Sequence, residues 1–280
     1  MWCFWSTLLL TLFIIFGVVN LLIVILTYSM CWYEYANADP QMIEGRFHGK
    51  KLRMAASVIL QETFFNMLTI MTMPLGLLNP RRHPQQRGET PVLLLHGLFN
   101  NQASWFWFKA FLRRQGFHNI ATINISSWHN EEVLTELVAK KVDELRHYLG
   151  VDKVHLVGHS MGGIIARNYI QLRGGANKVD RCVILGSPHL GSKLTPFAFA
   201  PLSKVLVPGS DFLRRLNSAP KPEAVTLTNV YTLHDNMVLP NANSRLPWGT
   251  AIELNNIGHT GLIYRQRALA AVRAALREAS

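Results

Sequence analysis

The first 33 residues contain no lysine, arginine, aspartate or glutamate, and the first formally charged side chain is Glu34. An apolar stretch of about 30 residues exceeds the roughly 20 that cross a bilayer as a helix, so this part of the chain does not read as soluble. Cysteine is scarce: Cys3 and Cys31 flank the apolar stretch and Cys182 sits in a strand-like run. Three cysteines so placed exclude a disulfide framework. There is no metal-ligand cluster, no phosphate-binding glycine loop and no dinucleotide fingerprint, so neither a metal nor a cofactor is expected. Charge as a whole is thin, with 16% charged residues against 49% apolar among 280.

The charge present is basic and unevenly spread. Residues 1–79 carry Arg46, Lys50, Lys51 and Arg53 against Glu34, Asp39, Glu44 and Glu62, so the net +11 lies entirely beyond them. A basic face suits nucleic acid or an anionic bilayer. A membrane segment accompanies it and a nucleic-acid motif does not, so the bilayer is the expected partner.

Residues 1–35 are expected to form a single-pass N-terminal membrane anchor. Trp2, Phe4 and Trp5 at one end, and Tyr28, Trp32, Tyr33 and Tyr35 at the other, resemble the aromatic belts of a spanning helix. The competitor is a cleaved signal peptide, because Ala36-Asn37-Ala38 has the A-x-A form; the apolar region is long for one and no basic residue precedes it. Residues 36–90 then supply an amphipathic helix and a linker. Within 54–78, Gln61, Glu62, Asn66 and Thr69 recur at helical spacing among Val58, Leu60, Phe64, Phe65, Leu68 and Met71. Such a helix lies in the membrane interface, packs on a neighbouring domain, or makes a second, poor span. Pro74, Pro80 and Pro84 with Arg81, Arg82 and Arg87 read as a polar linker.

From residue 91 to 280 short apolar runs alternate with helical ones. Strands are expected at 92–95, 120–125, 154–157, 179–185, 225–231 and 251–254, with helices at 103–115, 131–149, 161–172 and 262–276. Uniformly apolar strands alternating with helices predict an α/β domain whose mostly parallel sheet is covered on both faces. Reactive groups in such sheets gather at the C-terminal strand ends.

One stretch organises this domain. Val154-His155-Leu156-Val157 runs into Gly158-His159-Ser160-Met161-Gly162, and a helical pattern follows. Strand, G-x-S-x-G and helix together form a nucleophile elbow, a sharp turn that lifts Ser160 onto the sheet rim. Its backbone is strained there, so Gly158 and Gly162 must be small. A serine needs a base, and the base needs an acid to fix its tautomer. In elbow architectures these follow in the order serine, acid, histidine. His259, in the glycine-flanked Gly258-His259-Thr260-Gly261 between last strand and last helix, is the expected base; His189 and His234 are rivals. Asp235, at the end of the 225–231 strand and its trailing residues, is the expected acid. Asp211 is the fallback, and Asp180 precedes its strand and lies at the wrong end.

The oxyanion of acyl attack needs two N–H donors set in advance. Met161 supplies one, and Leu98 or Phe99 in His96-Gly97-Leu98-Phe99 the other. His96 and His159 are expected as structural hydrogen-bonding residues. Trp105-Phe106-Trp107-Phe108 cannot all face one core, so Trp105 is a candidate for the substrate wall. Residues 192–222 form an apolar insertion with Phe197 and Phe199, a candidate cap over an acyl chain.

Taken together, Leu93-Leu94-Leu95-His96-Gly97-Leu98, Gly158-His159-Ser160-Met161-Gly162-Gly163, the Asp235 strand end and Gly258-His259-Thr260-Gly261-Leu262 resemble bacterial triacylglycerol lipases and esterases of the α/β-hydrolase fold, in particular the small Bacillus-type lipases. The resemblance runs from about Pro91 to Leu276. It implies Ser160 as nucleophile, Asp235 as acid and His259 as base, and hydrolysis of lipid or other acyl esters through an acyl-enzyme without a cofactor. The same triad also serves acyl transfer or removal of a lipid anchor from protein. The anchor and the insertion after Ser187-Pro188-His189 depart from the small secreted lipases, and the anchor implies a bacterial inner membrane as location.

Overall fold

The computed structural model describes residues 2–38, 49–78 and 86–277. Two helices, α1 (Trp2–Ala38) and α2 (Gly49–Thr72), precede the sheet-bearing part of the chain. Six strands follow: β1 (Val92–Leu95), β2 (Ile120–Ile123), β3 (Val154–His159), β4 (Val179–Leu185), β5 (Thr226–Tyr231) and β6 (Thr250–Glu253). They form one sheet in the order β2-β1-β3-β4-β5-β6, with every neighbouring pair parallel.

Both faces of the sheet are covered, which is why β1 is apolar throughout and β3 and β4 carry polar side chains only at His155, His159, Asp180 and Arg181. In β1, Leu93 and Leu95 enter one core while Val92 and Leu94 enter the other, the alternation a pleated strand imposes. The first core also takes side chains from α4 (Glu131–Leu149), α5 (Met161–Leu172) and α6 (Asp211–Ser218). The second takes them from α3 (Phe106–Arg114) and α7 (Gln266–Arg277). The limits of α4 follow from local chemistry. The Asn130 side chain accepts from the Val133 N–H, Glu131 and Glu132 occupy the first turn, and Gly150 closes the helix in the left-handed region.

Element edges differ from expectation where side chains intervene. The helix expected from 103 opens as a 3₁₀ turn, Gln102–Trp105, because Asn101 Oδ1 accepts from the Ala103 N–H. β2 stops at Ile123, and the next side chain, Asn124, accepts from the Gln102 N–H. The closing helix starts at Gln266, since Thr260–Ile263 forms a buried 3₁₀ turn of its own.

Helices α1 and α2 run antiparallel: Asn20 Nδ2 donates to the Thr63 carbonyl, Gly17 faces Met67, and Tyr28 and Glu62 meet at Gly258. One face of α1 buries Asn20, Val24 and Cys31, while Phe4, Leu9, Leu12, Leu22 and Leu26 stand exposed. Both helices are long and apolar enough to cross a membrane. However, while the Gln61 amide bonds Ser57 on its own helix, Glu62, Asn66 and Thr69 of the polar stripe of α2 meet the sheet domain. The 3₁₀ turn Met73–Leu77, expected as linker because of Pro74, also docks there: Asn101 Nδ2 donates to the Met73 carbonyl and Gln102 Nε2 to that of Gly76. The rest of the expected linker, including Pro80, Arg81, Arg82 and Pro84, lies outside the described residues, as do Asp39, Glu44 and Arg46 and the side chains of Cys3 and Ala38.

Candidate active site

Ser160 stands between β3 and α5 with φ 54° and ψ −123°, a conformation an L-residue adopts only when its surroundings enforce it. The enforcement is visible. The Ser160 N–H donates to the Leu185 carbonyl at 2.8 Å, and its carbonyl accepts from the Ser187 hydroxyl at 2.6 Å. A Cβ at Gly158 would meet the Gly163 nitrogen at 2.5 Å, and one at Gly162 would collide with the Leu95 carbonyl. The turn therefore needs both glycines, for packing rather than for their own backbone angles.

Two loops at the same sheet edge carry the other candidates. Asp235, after β5, is fully buried, and its Oδ1 accepts from the N–H groups of Met237 and Val238 at 2.7 and 2.9 Å. Its Oδ2 lies 2.7 Å from His259 Nδ1. A carboxylate on Nδ1 fixes the neutral tautomer with the proton there and leaves Nε2 as the basic nitrogen. Burial pulls the His259 pKa down, but the charge and hydrogen bond of Asp235, with a contribution from Glu62, outweigh it and raise it above the usual 6.5. His159, the residue before Ser160, holds the His259 carbonyl through Nε2 at 3.1 Å, and the two rings are 4.7 Å apart. Among the described residues no hydrogen bond joins the Ser160 hydroxyl to the His259 ring. Catalytic hydrogen bonds of this kind commonly tighten only with substrate bound.

The other histidines are otherwise engaged. His96 Nε2 accepts from the Ile125 N–H, so its Nδ1 carries the proton given to the Gly97 carbonyl, and burial lowers its pKa to about 4. His189 is fully buried between Arg167 and Asn229, with its pKa pulled down to about 3 by burial and the guanidinium. His234 offers Nδ1 to the Asn256 N–H. Asp211 sits exposed at the start of α6 beside Arg214, and Asp180 lies beside His155 and Arg181.

The Phe99 N–H donates to Ser127 Oγ at 2.9 Å, so of the two donors expected in this loop it is the one already engaged. Ser127 was not singled out in the sequence and carried no signal there. Trp105 requires a correction. It was expected at the substrate wall, yet it is fully buried and packs edge-on against Phe108 in the core beneath α3. Of the four successive aromatics it is Phe106 and Trp107 that face outward. The insertion after Ser192 splits the same way: Leu202, Leu206, Phe212 and Leu213 enter the core, while Phe197 and Phe199 stand exposed.

The α/β-hydrolase-fold family model matches residues 90–215. A provisionally named esterase/lipase of Haemophilus influenzae is 35% identical over 104 residues, a match spanning 36% of each chain. Among solved structures, a Bacillus licheniformis lipase in its mature form superposes with a TM-score of 0.58 at 20% identity, covering 71% of this chain and 95% of its own. Aspergillus fumigatus lipase B gives 0.59 at 18% identity, covering 68% of this chain and 52% of its own. A Paleococcus ferrophilus monoacylglycerol lipase gives 0.52 at 14%, covering 66% and 94%. At these identities the likeness is one of fold.

Proposed function

This chain has the α/β-hydrolase fold, and from that premise we propose that it is a membrane-anchored serine hydrolase of carboxylic esters. The observation that carries the reading is the 2.7 Å contact of His259 Nδ1 with buried Asp235, beside a serine held at φ 54°. In the proposed cycle His259 Nε2 takes the hydroxyl proton as Ser160 Oγ attacks the ester carbonyl. Asp235 holds the imidazolium that forms, and the N–H groups of Leu98 and Met161 receive the oxyanion. The imidazolium then gives its proton to the leaving alcohol. Water, deprotonated by the same nitrogen, releases the acid from the acyl-enzyme.

The named esterases and lipases among its relatives support an acyl-ester substrate. Retention of α1 is supported by its packing. Tyr28 Oη donates to the His234 carbonyl at 3.0 Å, Asn236 Nδ2 to Thr27 Oγ1 at 2.9 Å, and Glu34 pairs with Lys193. A cleavage after Ala38 would strip these contacts from the acid loop. The exposed apolar face of α1 suits lipid, which would hold the site where acyl substrates concentrate.

The test is labelling of detergent-solubilised protein with a fluorophosphonate, alongside hydrolysis of p-nitrophenyl esters of increasing chain length. Labelling and turnover are both expected, and both should vanish in Ser160→Ala. A folded protein that reacts with neither probe would sink the reading.

A further inference from the structure

Helix α2 carries one acid in its middle, Glu62, and that side chain is fully buried. A carboxylate taken out of water must have its oxygens matched. Here Oε1 accepts the Thr260 N–H at 2.6 Å and Oε2 the Gly261 N–H at 3.1 Å. These are the two residues that follow His259. One turn along α2, Asn66 Oδ1 accepts the Thr260 hydroxyl at 2.6 Å; a turn further, the hydroxyls of Thr69 and Tyr264 lie 2.8 Å apart. Between them the Phe65 ring stacks on Tyr264 at 4.9 Å. On the other side of His259, a Cβ at Gly258 would run into the Glu62 carboxylate and the Tyr28 hydroxyl, so glycine there permits the helices to close on the loop.

Helix α1 grips the other loop. Beside the Tyr28 and Thr27 bonds already described, Cys31 Sγ reaches the Asp235 carbonyl at 3.6 Å. The ring of His259 is thus fixed by Asp235 while its backbone is fixed by α2, and the Asp235 loop is fixed by α1.

We propose that Glu62 is a positioning residue for His259, so that ester turnover depends on the seating of the α1–α2 hairpin against the histidine and acid loops. This rests on the reading of Ser160, His259 and Asp235 as a triad. It gives the N-terminal helices a second task besides holding the protein at a membrane. The anchor and the site become one mechanical unit, and displacement of the hairpin switches turnover off.

Glu62 also acts through charge. The titratable groups around His259 are Asp235, Glu62, His159, which burial keeps neutral, and the Tyr28 phenol. Burial pushes the Glu62 carboxyl up from its ordinary value, against the pull of the Thr260 and Gly261 donors and of His259. In its ionised form it favours the imidazolium, so its removal makes His259 a weaker base and moves the acidic limb of kcat/KM to lower pH. A residue that merely supports folding would not move that limb.

The experiment uses the full chain in detergent, as wild type, Glu62→Gln, Glu62→Ala and Ser160→Ala. It reads kcat and KM on a p-nitrophenyl ester, the pH profile, and the rate of fluorophosphonate labelling. Glutamine keeps the shape but turns one acceptor into a donor facing an N–H. It should lower kcat about tenfold with KM nearly unchanged and shift the acidic limb down. Alanine should lower kcat further and slow labelling in proportion. Wild-type kcat and an unmoved limb in both folded variants would overturn the proposal, as would a fall in kcat with no shift of the limb. If Glu62→Ala does not fold, Asn66→Leu and Tyr28→Phe read the same dependence; each should lower kcat about threefold at constant KM, and no change in either overturns it. Failure of the triad reading looks different: wild type neither labels nor turns over, or Ser160→Ala stays active.

Discussion

The Ser187 hydroxyl donates a 2.6 Å hydrogen bond to the carbonyl oxygen of Ser160, tying the segment after β4 to the strained residue that follows β3. Ser187 has no exposed surface, so no water replaces its hydroxyl. Ser187→Ala should therefore leave the Ser160 carbonyl with only the Gly163 N–H, 3.1 Å away, and cost about 0.5–1.5 kcal/mol of stability. The loosened turn should also lower kcat more than it raises KM. Thermal unfolding together with steady-state kinetics checks both, and a variant as stable and active as wild type would remove this tie from the account.

Asp235→Asn keeps the size of the acid but presents an amide where Oδ2 now accepts from His259 Nδ1. If the amide nitrogen faces the ring, the tautomer reverses and Nε2 carries the proton. Activity should fall about 10³- to 10⁴-fold with little loss of stability. Asparagine Oδ1 can still accept from Met237 and Val238, so folding should survive. Single-turnover acylation would measure the effect on the chemical step.

The raised pKa of His259 has a definite sign in kinetics. The base must be neutral, so kcat/KM should rise with pH along an acidic limb centred above 6.5, the ordinary imidazole value. For stability, a raised folded pKa contributes most below the unfolded value and that contribution is lost as pH rises through the folded one. His96 and His155, each near 4, His189, near 3, and His159, also lowered by burial, act in the opposite direction. They are neutral when folded but charge when unfolded below about pH 6.5, so stability should drop steeply between pH 6.5 and 4. Urea unfolding midpoints across that range would show whether the four buried rings outweigh His259.

Removing part of α1 should separate its two tasks. A chain beginning at Gly17 loses exposed residues such as Phe4, Leu9 and Leu12 but keeps Tyr28 and Cys31 on the acid loop. It should leave the membrane fraction more readily on carbonate extraction and retain most of its kcat. A chain beginning at Gly49 loses both and should lose turnover as well. Equal activity in the two truncations would show that α1 serves only as an attachment.

The alternation of apolar runs and helical patterns made the sheet legible before any coordinates. Val92–Leu95, Glu131–Leu149 and Val179–Leu185 have the limits the pattern implied. Local capping and edge effects account for what was shifted, as at Asn101 and after Ile123. The glycine flanks of His259 mark in the sequence only a loop between the last strand and the last helix. That loop is clamped, because its glycines admit helix side chains that lie some 200 residues earlier in the chain.

Local chemistry in the sequence determined the strands, the helix after Ser160 and the small residues around it, since each depends on neighbours a few positions away. Only the tertiary structure decided which face of α2 is covered, that Trp105 belongs to the core, and that Glu62 reaches Thr260 and Gly261. A polar stripe on an apolar helix is equally satisfied by water, headgroups or another domain. Periodicity records that a face must be matched, and only contacts between distant segments reveal what matches it.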